Sequence, residues 1–98
     1  MLTSRQRSYL SSLANKLEPV AALGRAGMSE AVVAHLKNEL ERHELIKLRF
    51  TDFKESRDDF ARELAARTGS ELVRVIGNVA LFYRADPDPE KRLIVLPT

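Results

Sequence analysis

Apolar residues recur along this chain with two periods, and the switches between them mark out its elements. Tyr9, Leu10, Leu13 and Leu17 fall at helical spacing behind Thr3-Ser4-Arg5-Gln6, where Thr3 can cap and Gln6 can reach back to it. The pattern predicts a first helix over residues 4–17. Pro19 cannot continue it and leads into a short apolar run at 20–23, read as a buried strand. Ser29 then caps a second helix reaching about residue 42, with Val32, Val33, Leu36 and Leu40 on one face and Lys37, Glu39 and Glu41 turned away.

The period next drops to two. Ile46, Leu48 and Phe50 alternate with Lys47, Arg49 and Thr51, which predicts a strand. Ser56-Arg57-Asp58-Asp59 has the form of a capping box opening a third helix through Phe60, Ala61, Leu64 and Ala65, which stops at Thr68-Gly69. Two further alternating runs, 72–76 and 79–84, flank Gly77-Asn78, a hairpin signal of type II′. Simple alternation puts Val73, Val75, Ala80 and Phe82 on one face of the sheet, and Leu72, Ile76, Val79, Leu81 and Tyr83 on the other. Both faces are apolar, so both need cover. Right-handed crossovers place the second and third helices on one face and leave the first for the other. A polar loop over 85–92, with two Asp-Pro steps, precedes an expected short last strand at 93–96. The fold class is α/β, in the order α-β-α-β-α-β-β, with a mixed four-stranded sheet between unequal helical layers.

Between the first strand and second helix stands Gly24-Arg25-Ala26-Gly27. Glycines let a backbone approach an anion closely, and a helix N-terminus presents N–H groups and partial positive charge. Such a loop also serves as a plain turn, and the spacing alone does not separate the two. Charge adds a little: residues 1–50 carry eight Lys/Arg against five Asp/Glu, residues 51–98 eight against nine. The basic excess lies in the half that holds the loop. Length, 98 residues with 44% hydrophobic content, fits one globular domain. The absence of cysteine excludes disulfides and thiolate metal sites, and with no apolar signal core behind Met1 a cytoplasmic location is expected.

Four stretches, taken together and in this order, resemble the CRM domain, an RNA-binding module, and most of all its stand-alone bacterial YhbY-type members. They are residues 19–27 with the glycine loop, His43-Glu44-Leu45-Ile46-Lys47-Leu48-Arg49, Val73-Arg74-Val75-Ile76-Gly77, and Leu81-Phe82-Tyr83-Arg84. The H-E-L-I-K stretch is the most specific and the glycine loop the least. The resemblance implies a fold similar to the C-terminal domain of translation initiation factor 3. It further implies association with ribosomal RNA in precursors of the large ribosomal subunit, the loop clamping RNA backbone in the manner of KH domains. Two positions depart from the family pattern: Ala26 stands where a polar or basic residue is frequent, and Asn78 where a basic residue often follows the hairpin glycine.

The expected RNA-binding set is Gly24, Arg25, Ala26, Gly27, Lys47, Arg49, Arg74 and Arg84. Arg25 is the loop's one cation, and Lys47 and Arg49 project from one strand face; Arg74, among apolar neighbours, reads equally as a structural residue. Arg5, Arg7 and Lys16 read as a solvated face of the first helix, and Tyr9, Phe60 and Phe82 as packing. His35 and His43 have no third ligand at useful spacing, so no metal is expected. There is no Walker lysine after the loop and no nucleophile–base–acid set, so neither catalysis, cofactor nor small-molecule substrate is expected. The reading is a monomeric, non-enzymatic RNA-binding module with no membrane partner. The alternative is a protein-interaction module docking on a ribosomal protein or assembly factor.

Overall fold

A computed structural model describes residues 1–24, 27–52 and 54–98. Its order is α1 (Ser4–Ala14), β1 (Ala21–Leu23), α2 (Glu30–His43), β2 (Leu45–Phe50), α3 (Arg57–Thr68), β3 (Glu71–Ile76) and β4 (Val79–Tyr83). Short 3-10 turns precede α3 and follow β4, at Lys54–Ser56 and Pro89–Lys91. The sheet order is β1-β2-β4-β3, with β1 parallel to β2 and β4 antiparallel to both its neighbours. Strands β1, β2 and β3 therefore share one direction, and α2 and α3 pack on the same face, as right-handed crossovers require. No helix of the described residues is long and apolar enough to cross a membrane.

Local chemistry accounts for most element ends. Thr3 and Gln6 form the capping box on α1, with bonds of 3.0 and 3.1 Å. The helix ends at Ala14 rather than 17, its last turn tightening into i→i+3 bonds such as Leu17 N to Ala14 O at 3.0 Å. Ser29 caps α2 by accepting from Val32 N at 3.2 Å. Gly69 ends α3 in the left-handed region at φ 67°. Gly77 takes φ 57° at the first hairpin position while Asn78 stays out of the positive-φ region, as a type II′ turn requires.

Four expectations give way. Ser56 makes no side-chain cap: as the last residue of the 3-10 turn it sits at φ −106°, ψ 16°, outside the extended geometry a capping serine needs. Residues 93–96 form no strand, because Leu93 and Ile94 give their N–H groups to the Glu44 carboxylate. Tyr9 is 39% exposed rather than packed. Leu72 and Val73 exchange faces, because a bulge interrupts β3. The register jumps from Leu72↔Phe82 to Arg74↔Leu81, so Val73 is the extra residue. One inserted residue reverses the phase of what precedes it.

Two cores result, one per face. Leu23, Leu36, Leu40, Ile46, Leu48, Phe50, Leu64 and Phe82 are buried under α2 and α3, with Leu72 and Val75 beside them. Leu2, Leu10, Ala14, Leu45, Val73, Leu81 and Tyr83 are buried under α1, with Ile94 and Leu96 of the tail packed against them. Arg7, expected to be solvated, donates from Nη1 to Leu72 O and Val73 O at 2.6 and 2.8 Å and so holds the bulge.

Glu44 joins the parts. It is 1% exposed and sits at φ 63°, ψ −40°, a positive-φ conformation that L residues with side chains rarely adopt. Its N–H donates to Leu40 O at 2.9 Å, closing α2, and its carbonyl accepts from Arg84 N at 2.8 Å. Its carboxylate accepts from Asp86 N at 2.8 Å and from Leu93 N and Ile94 N at 2.9 Å each. Burial, and then the nearby Glu44 charge, pushes the Tyr83 phenol above its ordinary pKa, partly offset by Arg92.

Replacing Glu44 with alanine should cost about 3 kcal/mol or more, because three tail N–H groups lose a charged acceptor. Glu44→Gly loses the same bonds but relieves the positive φ, and should be more stable than Glu44→Ala by about 1 kcal/mol. Urea melts give the difference. Tryptic cleavage after Lys91 and Arg92 should quicken in both variants; an alanine variant as stable as the glycine variant would show that the backbone there carries no strain.

Candidate nucleic-acid interface

The glycine loop begins where Leu23 ends β1. Thr51 N and Oγ1 both donate to Leu23 O, at 3.0 and 3.3 Å, fastening this edge to the end of β2. A Cβ on Gly24 would lie 3.2 Å from Thr51 Oγ1, so the close approach favours glycine. Gly27 sits at φ 71° and donates its N–H to Gly24 O at 2.9 Å. Gly27 thus has a backbone reason to be glycine, and Gly24 a steric one against the Thr51 side chain. Arg25 and Ala26 lie outside the described residues.

Lys47, Arg49 and Arg74 share the α1 face of the sheet. In register, Arg74, Leu81 and Lys47 form one row across β3, β4 and β2; Ile76, Val79, Arg49 and Ala22 form the next, nearer the glycine loop. Lys47 is half-buried and donates from Nζ to Leu17 O at 2.9 Å, tying the end of the first helical segment to the sheet. Arg49 and Arg74 are exposed and make no hydrogen bond or ion pair among the described residues. The hairpin turn reaches the same end of the sheet, where Phe50 N donates to Asn78 O at 2.7 Å and Arg57 Nη1 to Asn78 Oδ1 at 2.9 Å.

Arg84 is elsewhere. Its backbone pairs with Glu44, five strand positions from Arg49 and so roughly 17 Å away. Its guanidinium donates to Thr68 O at 3.0 Å and lies 3.7 Å from a Glu41 carboxylate oxygen. Half-buried and bonded to the last carbonyl of α3, it braces that helix end. The α1 face and the glycine-loop end therefore gather Gly24, Gly27, Lys47, Arg49 and Arg74, and leave out Arg84.

The opposite face is electrostatically mixed. Along α3, Arg62 pairs with Asp59 at 2.8 Å and Arg67 with Glu63 at 2.7 Å. His43 lies 3.5 Å from Glu39, and His35 Nε2 is 2.9 Å from Val20 O. No group of three or more potential metal ligands occurs among the described residues. By contrast α1 carries no acidic residue. Sequence reasoning passed over Ala22, Ile76 and Val79, which floor the open part of the α1 face. The available signal was a count of cover: one short helix was left for a whole sheet face.

Comparison with known proteins agrees with this architecture. The model of the CRS1 / YhbY (CRM) domain matches residues 2–84, and the chain belongs to that family. It is 38% identical over 93 residues to "Probable RNA-binding protein PA4753" of Pseudomonas aeruginosa, covering 94% of this chain and 89% of that protein. To "Probable RNA-binding protein YqeI" of Bacillus subtilis it is 33% identical over 98 residues, covering 99% of this chain and 100% of the relative. The solution structure of SAV1595 from Staphylococcus aureus matches with a TM-score of 0.81 at 35% identity, over 99% of this chain and 100% of that one.

The different settings of the arginines have a measurable consequence. Arg84→Ala should lower stability by about 1–2 kcal/mol through loss of a charge-assisted bond to Thr68 O, the exposed pairing with Glu41 adding little. Arg49→Ala and Arg74→Ala should each stay within about 0.5 kcal/mol of the parent. Chemical denaturation of the three variants checks this; a loss at Arg49 as large as at Arg84 would mean that Arg49 is structural.

Proposed function

We propose that this protein binds RNA without catalysis, and that its target is structured ribosomal RNA in precursors of the large ribosomal subunit, where it assists assembly. The observation that carries the RNA reading is a pair of arginines, Arg49 and Arg74, with no hydrogen bond or ion pair among the described residues, in two sheet rows that hold no acid and run up to the glycine loop. Relatives across the full chain bear the name of RNA-binding proteins, which supports the same partner. The ribosomal target rests on the family resemblance. In this reading loop amides and Arg25 meet phosphate oxygens, and Lys47, Arg49 and Arg74 set the orientation. The protein acts in the cytoplasm as a monomer and needs no cofactor.

Backbone recognition makes binding sensitive to salt. Each phosphate neutralised contributes a slope of roughly 0.7–0.9 in log affinity against log salt. Removing Arg49 or Arg74 should flatten that slope, and an affinity insensitive to salt would end the backbone mechanism.

The loop is tested by changing Arg25 and Ala26 together to aspartate while keeping both glycines. Stability should hold, since negative charge near a helix N-terminus is mildly favourable. Binding to RNA or to precursor particles should weaken at least about tenfold, or ~1.4 kcal/mol. A variant that melts like the parent and binds as well leaves the loop as a turn only. If purified particles then bind while free RNA does not, a protein docking partner takes precedence. Crosslinking in cells, followed by sequencing of attached RNA, tests the ribosomal target directly.

A further inference from the structure

On the α1 face the Leu45–Tyr83 end and the middle row at Leu81 are covered, and the row at the glycine-loop end is left open. Helix α1 stops at Ala14, and the tail packs Ile94 and Leu96 against the Leu45–Tyr83 end, where Glu44 pins it. In the last row, Ala22–Arg49–Val79–Ile76, Val79 packs against the α1 core and the other three positions are exposed. Ile76 is 51% exposed there, Ala22 and Arg49 are exposed, and Val79 is half-buried. Between the last turn of α1 and this row lies a groove of about 160 Å³, walled by Ser11 on the helix, by Asn15 just past its end, and by Lys47 and Leu81 on the sheet. The buried Ser11 hydroxyl has no hydrogen-bond partner among the described residues.

We propose that this open row and the groove beside it are a seat for unpaired nucleotides, which pack bases and riboses on Ile76, Val79 and Ala22 while Arg49, Arg74 and Lys47 hold the flanking phosphates. The proposal rests on the RNA reading above and adds the form of RNA recognised. Charge complementarity selects a polyanion: the two rows hold three cations and no acid. The apolar floor selects within that class. A duplex buries its base faces in its own stack and offers side chains phosphates and a shallow groove. Unpaired nucleotides expose flat apolar faces that an aliphatic floor can desolvate and a guanidinium plane can stack on. Arg49 stands centrally in its row, between Ala22 and Val79, where it can do both. The row also ends at the strand edge leading into Gly24, so a strand of RNA crossing the floor would pass to the glycine loop.

The test uses full-length protein, a short single-stranded RNA of mixed sequence, and the same RNA annealed to its complement. Methyl resonances of Ile76 and Val79 should move on titration with the single strand and stay with the duplex. Ile76→Ser, shown by its melt to be folded, should weaken single-strand affinity about threefold to tenfold and leave duplex affinity unchanged. Arg49→Gln should weaken both through lost charge. If the single strand binds while those methyls stay and Ile76→Ser has no effect, the seat is overturned and the RNA reading stands. Equal losses on both probes overturn it likewise. A parent that binds neither RNA brings down the reading and the seat together. Sedimentation of the same samples separates the remaining occupant: a concentration-dependent dimer abolished by Ile76→Ser would assign the face to a second copy.

Discussion

Glu44 is the constraint on which this arrangement depends. A carboxylate taken out of water must be compensated by donors, and here the compensation comes from three backbone N–H groups of a segment more than forty residues further on. Placing that carboxylate requires a positive φ at the junction between α2 and β2, and the surrounding bonds hold the residue there despite the strain. One side chain thereby replaces a strand pairing. The tail stays irregular yet ordered, and its apolar residues Ile94 and Leu96 close the second core.

The consequence for function is a matter of where cover ends. Helices α2 and α3 cover their face of the sheet, but the α1 face has only a short helix and a tail anchored at the Glu44 end. What remains open is the end where β1 runs into the glycine loop, near Arg49 and Arg74, which make no hydrogen bond or ion pair among the described residues. The H-E-L-I-K stretch contributes to both halves. Its glutamate draws the tail one way, and its lysine and the following Arg49 line the face left bare. A motif that looks like a binding sequence is thus in part a folding device.

Much of the fold was legible because its signals are local. The Thr3–Gln6 box, the Ser29 cap, Gly69 at the end of α3 and the Gly77-Asn78 turn each depend on residues a few positions apart. The alternation from Ile46 to Phe50 is strict, so the two sides of that stretch were readable. The bulge at Val73 was not, since nothing in Leu72-Val73-Arg74 distinguishes an inserted residue from a paired one; the register is set across the strand by β4 and held by Arg7. Ser56 is the right residue type for a cap but ends a 3-10 turn, which removes the geometry.

The candidate site divides in the same way. Sequence alone determined which residues carry charge, that Lys47 and Arg49 leave one side of their strand, and that a glycine loop joins strand to helix. Tertiary structure alone decided that Arg84 braces α3 while Arg74 joins Arg49, and that one end of a sheet face stays open. The reason is physical. Periodicity reports which side of an element avoids water, a property of neighbours in sequence. Whether a charged side chain finds a carbonyl to bond, or an apolar row finds a cover, depends on segments brought together by the fold, and Glu44 holds one of those segments in place.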